Sequence, residues 1–184
     1  MWAKFCKFLL VKVMGWTPVE GPCPDKKAII LGVPHTSVWD FVISYLYYTA
    51  VGGKSYVMIK KEFFWGPLGW LLRKMGGLPV DRGNAARLLI SVIHEFNQRE
   101  SVHLAIAPEG TRKPIKKWKT GFHTIAKRTG AAVYMGYFDW GTKRIGRGEK
   151  VELTDDAAAD MARIQALYEE MNLVGKHPEM YITR

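Results

Sequence analysis

Four apolar runs, at residues 27–33, 55–60, 102–107 and 132–138, alternate with stretches of helical periodicity at 38–50, 84–98, 119–129 and 155–173. Each run has strand length and carries β-branched or aromatic residues. Strands that alternate with helices bury their apolar faces best as a layered sheet, because each helix covers the sheet that its neighbours in sequence build. The spacing therefore predicts a single-domain α/β fold, with a mixed or mainly parallel sheet flanked by helices. The chain of 184 residues is long enough to bury a real core in one such domain. Asn84 is placed to cap the second helix, after a turn at Arg82-Gly83, and Thr154-Asp155-Asp156 starts the last. The stretch from Asp139 to Lys150 reads as a Gly- and Arg-rich loop or hairpin with no assignable chemistry.

Two of the apolar runs end in residues that carry chemistry. Ala28-Ile29-Ile30-Leu31-Gly32-Val33 leads into Pro34-His35-Thr36-Ser37-Val38-Trp39-Asp40, and Val102-His103-Leu104-Ala105-Ile106-Ala107 leads into Pro108-Glu109-Gly110-Thr111-Arg112. Loops at the carboxyl ends of such strands converge on one rim, where sites form. A histidine suits proton abstraction near neutral pH, since its ordinary pKa is about 6.5. With Thr36 or Ser37 capping the next helix, Asp40 falls in the first turn and can fold back onto the His35 ring. Taken singly, His35 is an ordinary loop histidine and Asp40 a charge suited to a helix N-terminus. Their combination with a second loop is what carries the argument.

His35-x4-Asp40 and Glu109-Gly110-Thr111-Arg112 resemble the first and third blocks of the glycerolipid acyltransferases, the group that includes 1-acylglycerol-3-phosphate acyltransferase. Gly77-Leu78-Pro79-Val80-Asp81-Arg82 is similar to the second block, and all three stand in family order within roughly residues 28 to 138. The resemblance implies an O-acyltransferase that moves a fatty acyl group from a thioester, acyl-CoA or acyl carrier protein, to the hydroxyl of a lysophospholipid. It implies His35 and Asp40 as the catalytic pair, and Arg82, Glu109, Gly110, Thr111 and Arg112 as acceptor-binding residues. No metal or organic cofactor is expected. Two departures from the family pattern bear on substrate identity. Pro34 stands where an Asn often precedes the histidine, and Ala131-Ala132-Val133-Tyr134-Met135-Gly136 lacks the proline usual in the fourth block.

The residues leave some roles open. Arg82 and Arg112 suit two-point contacts with a phosphate, but Arg82 can also pair with Asp81, and Arg112 belongs to a basic run with Lys113, Lys116, Lys117 and Lys119. Glu109 can orient an arginine or bind an acceptor hydroxyl. A thioesterase can use the same His/Asp pair with water as nucleophile. His94-Glu95 has no second histidine at metal-site spacing and reads as a helix-surface pair, His103 falls in an expected strand, His123 suits a structural role or the lining of the site, and His177 lies in the tail.

The net charge of +10 calls for an anionic partner. No nucleic-acid-binding signature accompanies it, so nucleic acid is not the expected partner. An anionic membrane surface is, because basic and aromatic residues occur together in two places. Residues 1–16 form one, an amphipathic N-terminal helix for the membrane interface, with 17–184 as the acyltransferase domain. At 100° per residue Trp2, Phe5, Leu9 and Val13 share a face opposite Lys4 and Lys7. That segment is too short to span a bilayer, which takes ~20 apolar residues. The other is Phe63-Phe64-Trp65-Gly66-Pro67-Leu68-Gly69-Trp70-Leu71-Leu72, bracketed by Lys60, Lys61, Arg73 and Lys74. Together they imply peripheral attachment at the cytoplasmic face of the membrane. Cys6 and Cys23, the only two cysteines, are expected as reduced thiols.

Overall fold

Side chains along β2 (Lys27–Leu31) point alternately to two separate apolar clusters, so this strand is buried on both faces. The computed structural model describes residues 1–81 and 83–181. The chain begins with α1 (Trp2–Phe8), a π-helical turn at Leu9–Val13 and the short β1 (Thr17–Pro18). After β2 come α2 (Trp39–Ala50), β3 (Ser55–Lys60), α3 (Gly66–Lys74), β4 (Gly77–Val80), α4 (Ala85–Gln98) and β5 (Val102–Ile106). The remainder comprises α5 (Gly121–Thr129), β6 (Ala132–Tyr134), β7 (Tyr137–Asp139), β8 (Arg144–Gly146), β9 (Lys150–Val151) and α6 (Ala157–Glu170).

Six strands form the main sheet in the order β4-β3-β5-β2-β6-β9, parallel throughout except for the β6–β9 pair. From β2 the chain moves outward through β3 to β4, then returns to β5 and passes β2 to reach β6. Parallel crossovers are right-handed, so reversing direction along the sheet moves the connecting helix to the opposite face. Accordingly Ala28 and Ile30 pack with Ile43, Leu46 and Tyr47 of α2, while Ile29 and Leu31 pack with Val92 and Phe96 of α4 and Phe122 and Ile125 of α5. Ile164 and Tyr168 of α6 complete the second layer. Each fully buried side chain of this size contributes about 1.5–3 kcal/mol relative to exposure.

Caps follow the sequence closely. The Asn84 side chain accepts the Arg87 N–H at 3.0 Å, and Asp156 accepts those of Ala158 and Ala159, each at 2.9 Å. Pro79 is tolerated because β4 is an edge strand and pairs on one side only.

Three details depart from the sequence reading. The run at 132–138 is two strands, not one. A Cβ at Gly136 would stand 2.4 Å from the Leu31 carbonyl oxygen, so the chain passes close beneath β2 and leaves the main sheet. There β7 pairs antiparallel with β8 in a second sheet of order β1-β8-β7, which makes the 139–150 stretch a hairpin. Second, α3 and β4 lie between 60 and 84, where no helix or strand was expected; Pro67 starts α3 in its first turn, where no backbone N–H is needed. Third, α1 buries Cys6 and the π-helical turn after it buries Leu10 against the α2 layer, a face different from the one that periodicity selected. Trp2, Phe5 and Phe8 stay exposed, so the helix is apolar on two sides. Both cysteines are buried free thiols.

Candidate active site

The outgoing connections of the neighbouring strands β2 and β5 cover opposite faces, α2 on one and α5 on the other. Their ends are aligned, Leu31 opposite Ile106, and Gly32 N–H extends the ladder to the Ile106 carbonyl at 2.9 Å. Such a switch point opens a crevice beyond the strand ends. His35 comes four residues after β2 and Glu109 three residues after β5, so both stand at this crevice.

The Glu109 carboxyl joins the two loops, accepting the His35 backbone N–H at 3.0 Å on Oε1 and 3.2 Å on Oε2. Only 5% of Glu109 is exposed. Burial is the main cause that pushes its carboxyl up to about 8; the nearby Asp40 charge acts in the same direction and the His35 N–H opposes it. At neutral pH Glu109 therefore carries a proton, and its role is that of a neutral clamp between loops.

Asp40 lies in the first turn of α2 and is 1% exposed. Its Oδ2 accepts the Thr36 and Ser37 N–H groups at 2.8 and 2.7 Å, and the same oxygen is 3.3 Å from His35 Nδ1. Its Oδ1 accepts the Trp140 Nε1–H at 2.9 Å. The helix begins differently from expectation: Val38 is the N-cap residue and has no side-chain cap. Ser37 Oγ accepts the Trp39 N–H at 3.2 Å, while Asp40 itself gathers the two preceding amides. This is how a buried carboxylate is retained: charge-assisted bonds offset its desolvation.

With Nδ1 facing a carboxylate, the neutral His35 ring carries its proton on Nδ1 and leaves Nε2 as the basic nitrogen. The His35 side chain is 27% exposed, enough to meet a substrate. A second pair contrasts with it. His123 Nε2 lies 3.2 Å from Asp160 Oδ2 and 3.1 Å from the Thr154 carbonyl, yet both side chains are buried. That contact ties α5 to α6 and presents nothing to solvent.

Gly110, Thr111 and Arg112 follow Glu109 in the loop after β5. Gly110 has φ +66°, and a Cβ there would meet Lys119 Cδ at 2.8 Å, so the turn after Glu109 needs glycine. Thr111 Oγ1 accepts the Lys113 N–H at 3.2 Å. Arg112 is exposed, and among the described residues no carboxylate lies within ion-pair distance of it. Among the described residues no hydrogen bond or ion pair links Thr111 or Arg112 to His35 or Asp40. Arg82 lies outside the described residues. Its neighbour Asp81 bonds Lys61 Nζ at 2.7 Å and the Gly83 N–H at 2.9 Å.

Sequence reasoning missed two contributors. Trp140 reaches Asp40 from 100 residues away, out of a hairpin with no local signature. Residues 174–177 also pack on the His35 loop: His177 N–H donates to Thr36 Oγ1 at 3.2 Å, and a Cβ at Gly175 would stand 2.8 Å from Thr36 Cγ2.

In a mainly parallel α/β sheet, a partly exposed, carboxylate-backed histidine beyond the strand ends is an arrangement that can accept a proton from a bound hydroxyl. The family model described as Acyltransferase matches residues 17–136, and the chain belongs to that family. Among solved structures its fold is similar to the 1-acyl-sn-glycerophosphate (LPA) acyltransferase PlsC from Thermotoga maritima. The TM-score is 0.63 at 20% sequence identity, over 93% of this chain and 78% of that one. No curated protein matches the chain in sequence.

Proposed function

We propose that the protein is an O-acyltransferase that moves a fatty acyl group from a thioester, carried by CoA or acyl carrier protein, to the free hydroxyl of a lysophospholipid. We take 1-acylglycerol-3-phosphate as the acceptor, the substrate class named for the structurally similar PlsC. The observation that carries the reading is the partly exposed His35 ring, with buried Asp40 behind Nδ1, beyond the aligned ends of β2 and β5.

In the proposed reaction His35 Nε2 takes the acceptor hydroxyl proton as its oxygen attacks the thioester carbonyl. A C–O bond forms, and Asp40 stabilises the imidazolium that results. Collapse of the tetrahedral species breaks the C–S bond, and the imidazolium returns its proton to the leaving thiolate. The protein forms no acyl-enzyme, and no Gly-x-Ser-x-Gly elbow occurs in the sequence. Glu109 holds the His35 backbone, Gly110 and Thr111 shape the acceptor side of the rim, and Arg82 and Arg112 bind the acceptor phosphate.

We also propose peripheral attachment to an anionic leaflet at the cytoplasmic face. Trp65 and Trp70 are 65% and 64% exposed, and the exposed Phe63 follows the C-terminal end of β3, the strand end at which His35 follows β2. Lys74 lies over the Trp70 ring at 4.8 Å and Arg73 over Phe64 at 5.1 Å, which suits a headgroup layer. Among the described residues no helix is long and apolar enough to cross a membrane.

The decisive experiment is an acyl-transfer assay over a panel of lysolipids, with acyl-CoA and acyl carrier protein donors and the His35→Ala variant as control. Transfer that requires an acceptor and is lost in His35→Ala supports the reading. Thioester hydrolysis indifferent to every acceptor would replace it with a thioesterase.

A further inference from the structure

We propose that Trp140 is a positioning residue for the His35–Asp40 pair: its indole N–H holds Asp40, and through Asp40 it sets the orientation and basicity of His35. The inference rests on the reading above only in taking His35 as the base. Asp40 presents two oxygens with different duties. Oδ2 is committed to the Thr36 and Ser37 amides and faces His35 Nδ1, whereas Oδ1 receives the Trp140 Nε1–H at 2.9 Å. Among the described residues no other donor serves Oδ1, and Asp40 is too buried for bulk water to substitute. Without the indole N–H, a buried anionic oxygen would lack a partner and the carboxylate could turn away from the imidazole.

Trp140 is itself fixed from several directions. Its backbone N–H donates to the Val174 carbonyl at 2.8 Å. Its ring meets Trp16 edge-on, centroids 4.9 Å apart at 87°, and Lys176 Nζ lies 4.8 Å from its centre. A ring needed only for packing would be insensitive to where its one polar atom points. Here that atom is aimed at the carboxylate that backs the histidine.

Removing the donor has a definite sign. A hydrogen bond to a carboxylate spreads its charge and weakens it as an acceptor. Losing that bond concentrates charge on Asp40, stabilises the imidazolium and raises the basicity of His35. The other ionisable groups around the pair are Glu109 after β5, Asp139 at the end of β7, and Lys176 and His177 beyond α6. All are retained in a Trp140 variant, and because Lys176 lies over the Trp140 ring, the replacement that keeps the bicyclic shape is the one that holds their influence constant.

Two replacements test this: Trp140→Phe, and 3-benzothienylalanine at position 140, which keeps the bicyclic shape but has sulfur in place of N–H. The imidazole of His35, identified by the signal lost in His35→Ala, is followed by NMR titration alongside acyl-transfer kinetics. The titration midpoint should rise by about half to one unit in both variants. The kcat should fall about ten- to a hundredfold, with KM for either substrate changed less than about threefold. The benzothienyl variant serves if Trp140→Phe fails to fold. An unmoved midpoint with kcat within about twofold of wild type in the benzothienyl variant would overturn the proposal. Wild type lacking acyl transfer to every acceptor would refute the proposed function instead, and the NMR midpoint would then decide the role of Trp140.

Discussion

Glu109→Gln should make the protein more stable at alkaline pH while leaving it nearly unchanged in mild acid. The carboxyl is 5% exposed and its pKa is raised from 4.5 to about 8, chiefly by burial. The folded state therefore binds a proton that the unfolded chain has released above about pH 4.5. Stability falls as pH rises through the window between those two values, and it is fully restored only below the lower one. At about 1.4 kcal/mol per unit, the whole window corresponds to ~4–5 kcal/mol. Glutamine cannot ionise, keeps a carbonyl oxygen for the His35 N–H and fills the same space. Urea unfolding at pH 5 should separate the two proteins by no more than about 1 kcal/mol, and at pH 9 by ~4 kcal/mol in favour of Glu109→Gln. Thermal midpoints at pH 9 should differ by about 10 °C for a chain of this size. Parallel stability profiles from pH 5 to 9 would mean that Glu109 ionises in the fold as freely as in the unfolded chain, and the neutral clamp would be refuted.

In acyl-transfer assays His35→Ala should abolish turnover, and Asp40→Asn should lose most of it with the fold intact by circular dichroism; undiminished transfer in His35→Ala would reject the mechanism. Arg112→Lys and Arg82→Lys keep charge but lose planar two-point contact, so acceptor use should weaken by roughly 1–3 kcal/mol while donor KM barely moves. Equal damage to donor and acceptor kinetics would contradict a phosphate site. Flotation with anionic vesicles should fall when Trp65 and Trp70 become Ser, and fall again with Trp2, Phe5 and Phe8 replaced by Ser. Substitution is preferable to deleting the helix, because deletion would also remove the buried Cys6 and Leu10. Flotation equal to wild type in the combined variant would rule out both segments as anchors.

The strands β2, β3, β5 and β6 and the helices α2, α4, α5 and α6 were legible because each is a local pattern, whereas the short edge strands β4 and β9 and the helix α3 were not. The β2 and β5 runs, the Asn84 cap and the order of the three blocks need only a few consecutive residues to be seen. The placement of His35, Asp40 and Glu109 on one rim followed from the general rule about strand ends. Contacts across long stretches of chain were invisible. Nothing near Trp140 announces Asp40, and nothing in Val174-Gly175-Lys176-His177 announces Thr36. The division of 132–138 hinged on Gly136 meeting the backbone of β2, again a tertiary constraint. On α1 the exposed aromatics outweighed Cys6 and Leu10 in the periodicity, although the smaller face is the one that packs.

The packing of residues 174–177 on the His35 loop also sets a timetable. His35 and Asp40 leave the ribosome early, whereas the stretch that bonds Trp140 and Thr36 is translated roughly 140 residues later. At typical rates of about 5–20 residues per second this is a lag of ~7–30 s. A nascent chain that has already formed the β2–α2 unit still lacks the hairpin over Asp40 and the segment over Thr36. Its histidine has no finished surroundings until residues 174–177 have emerged and packed onto the loop.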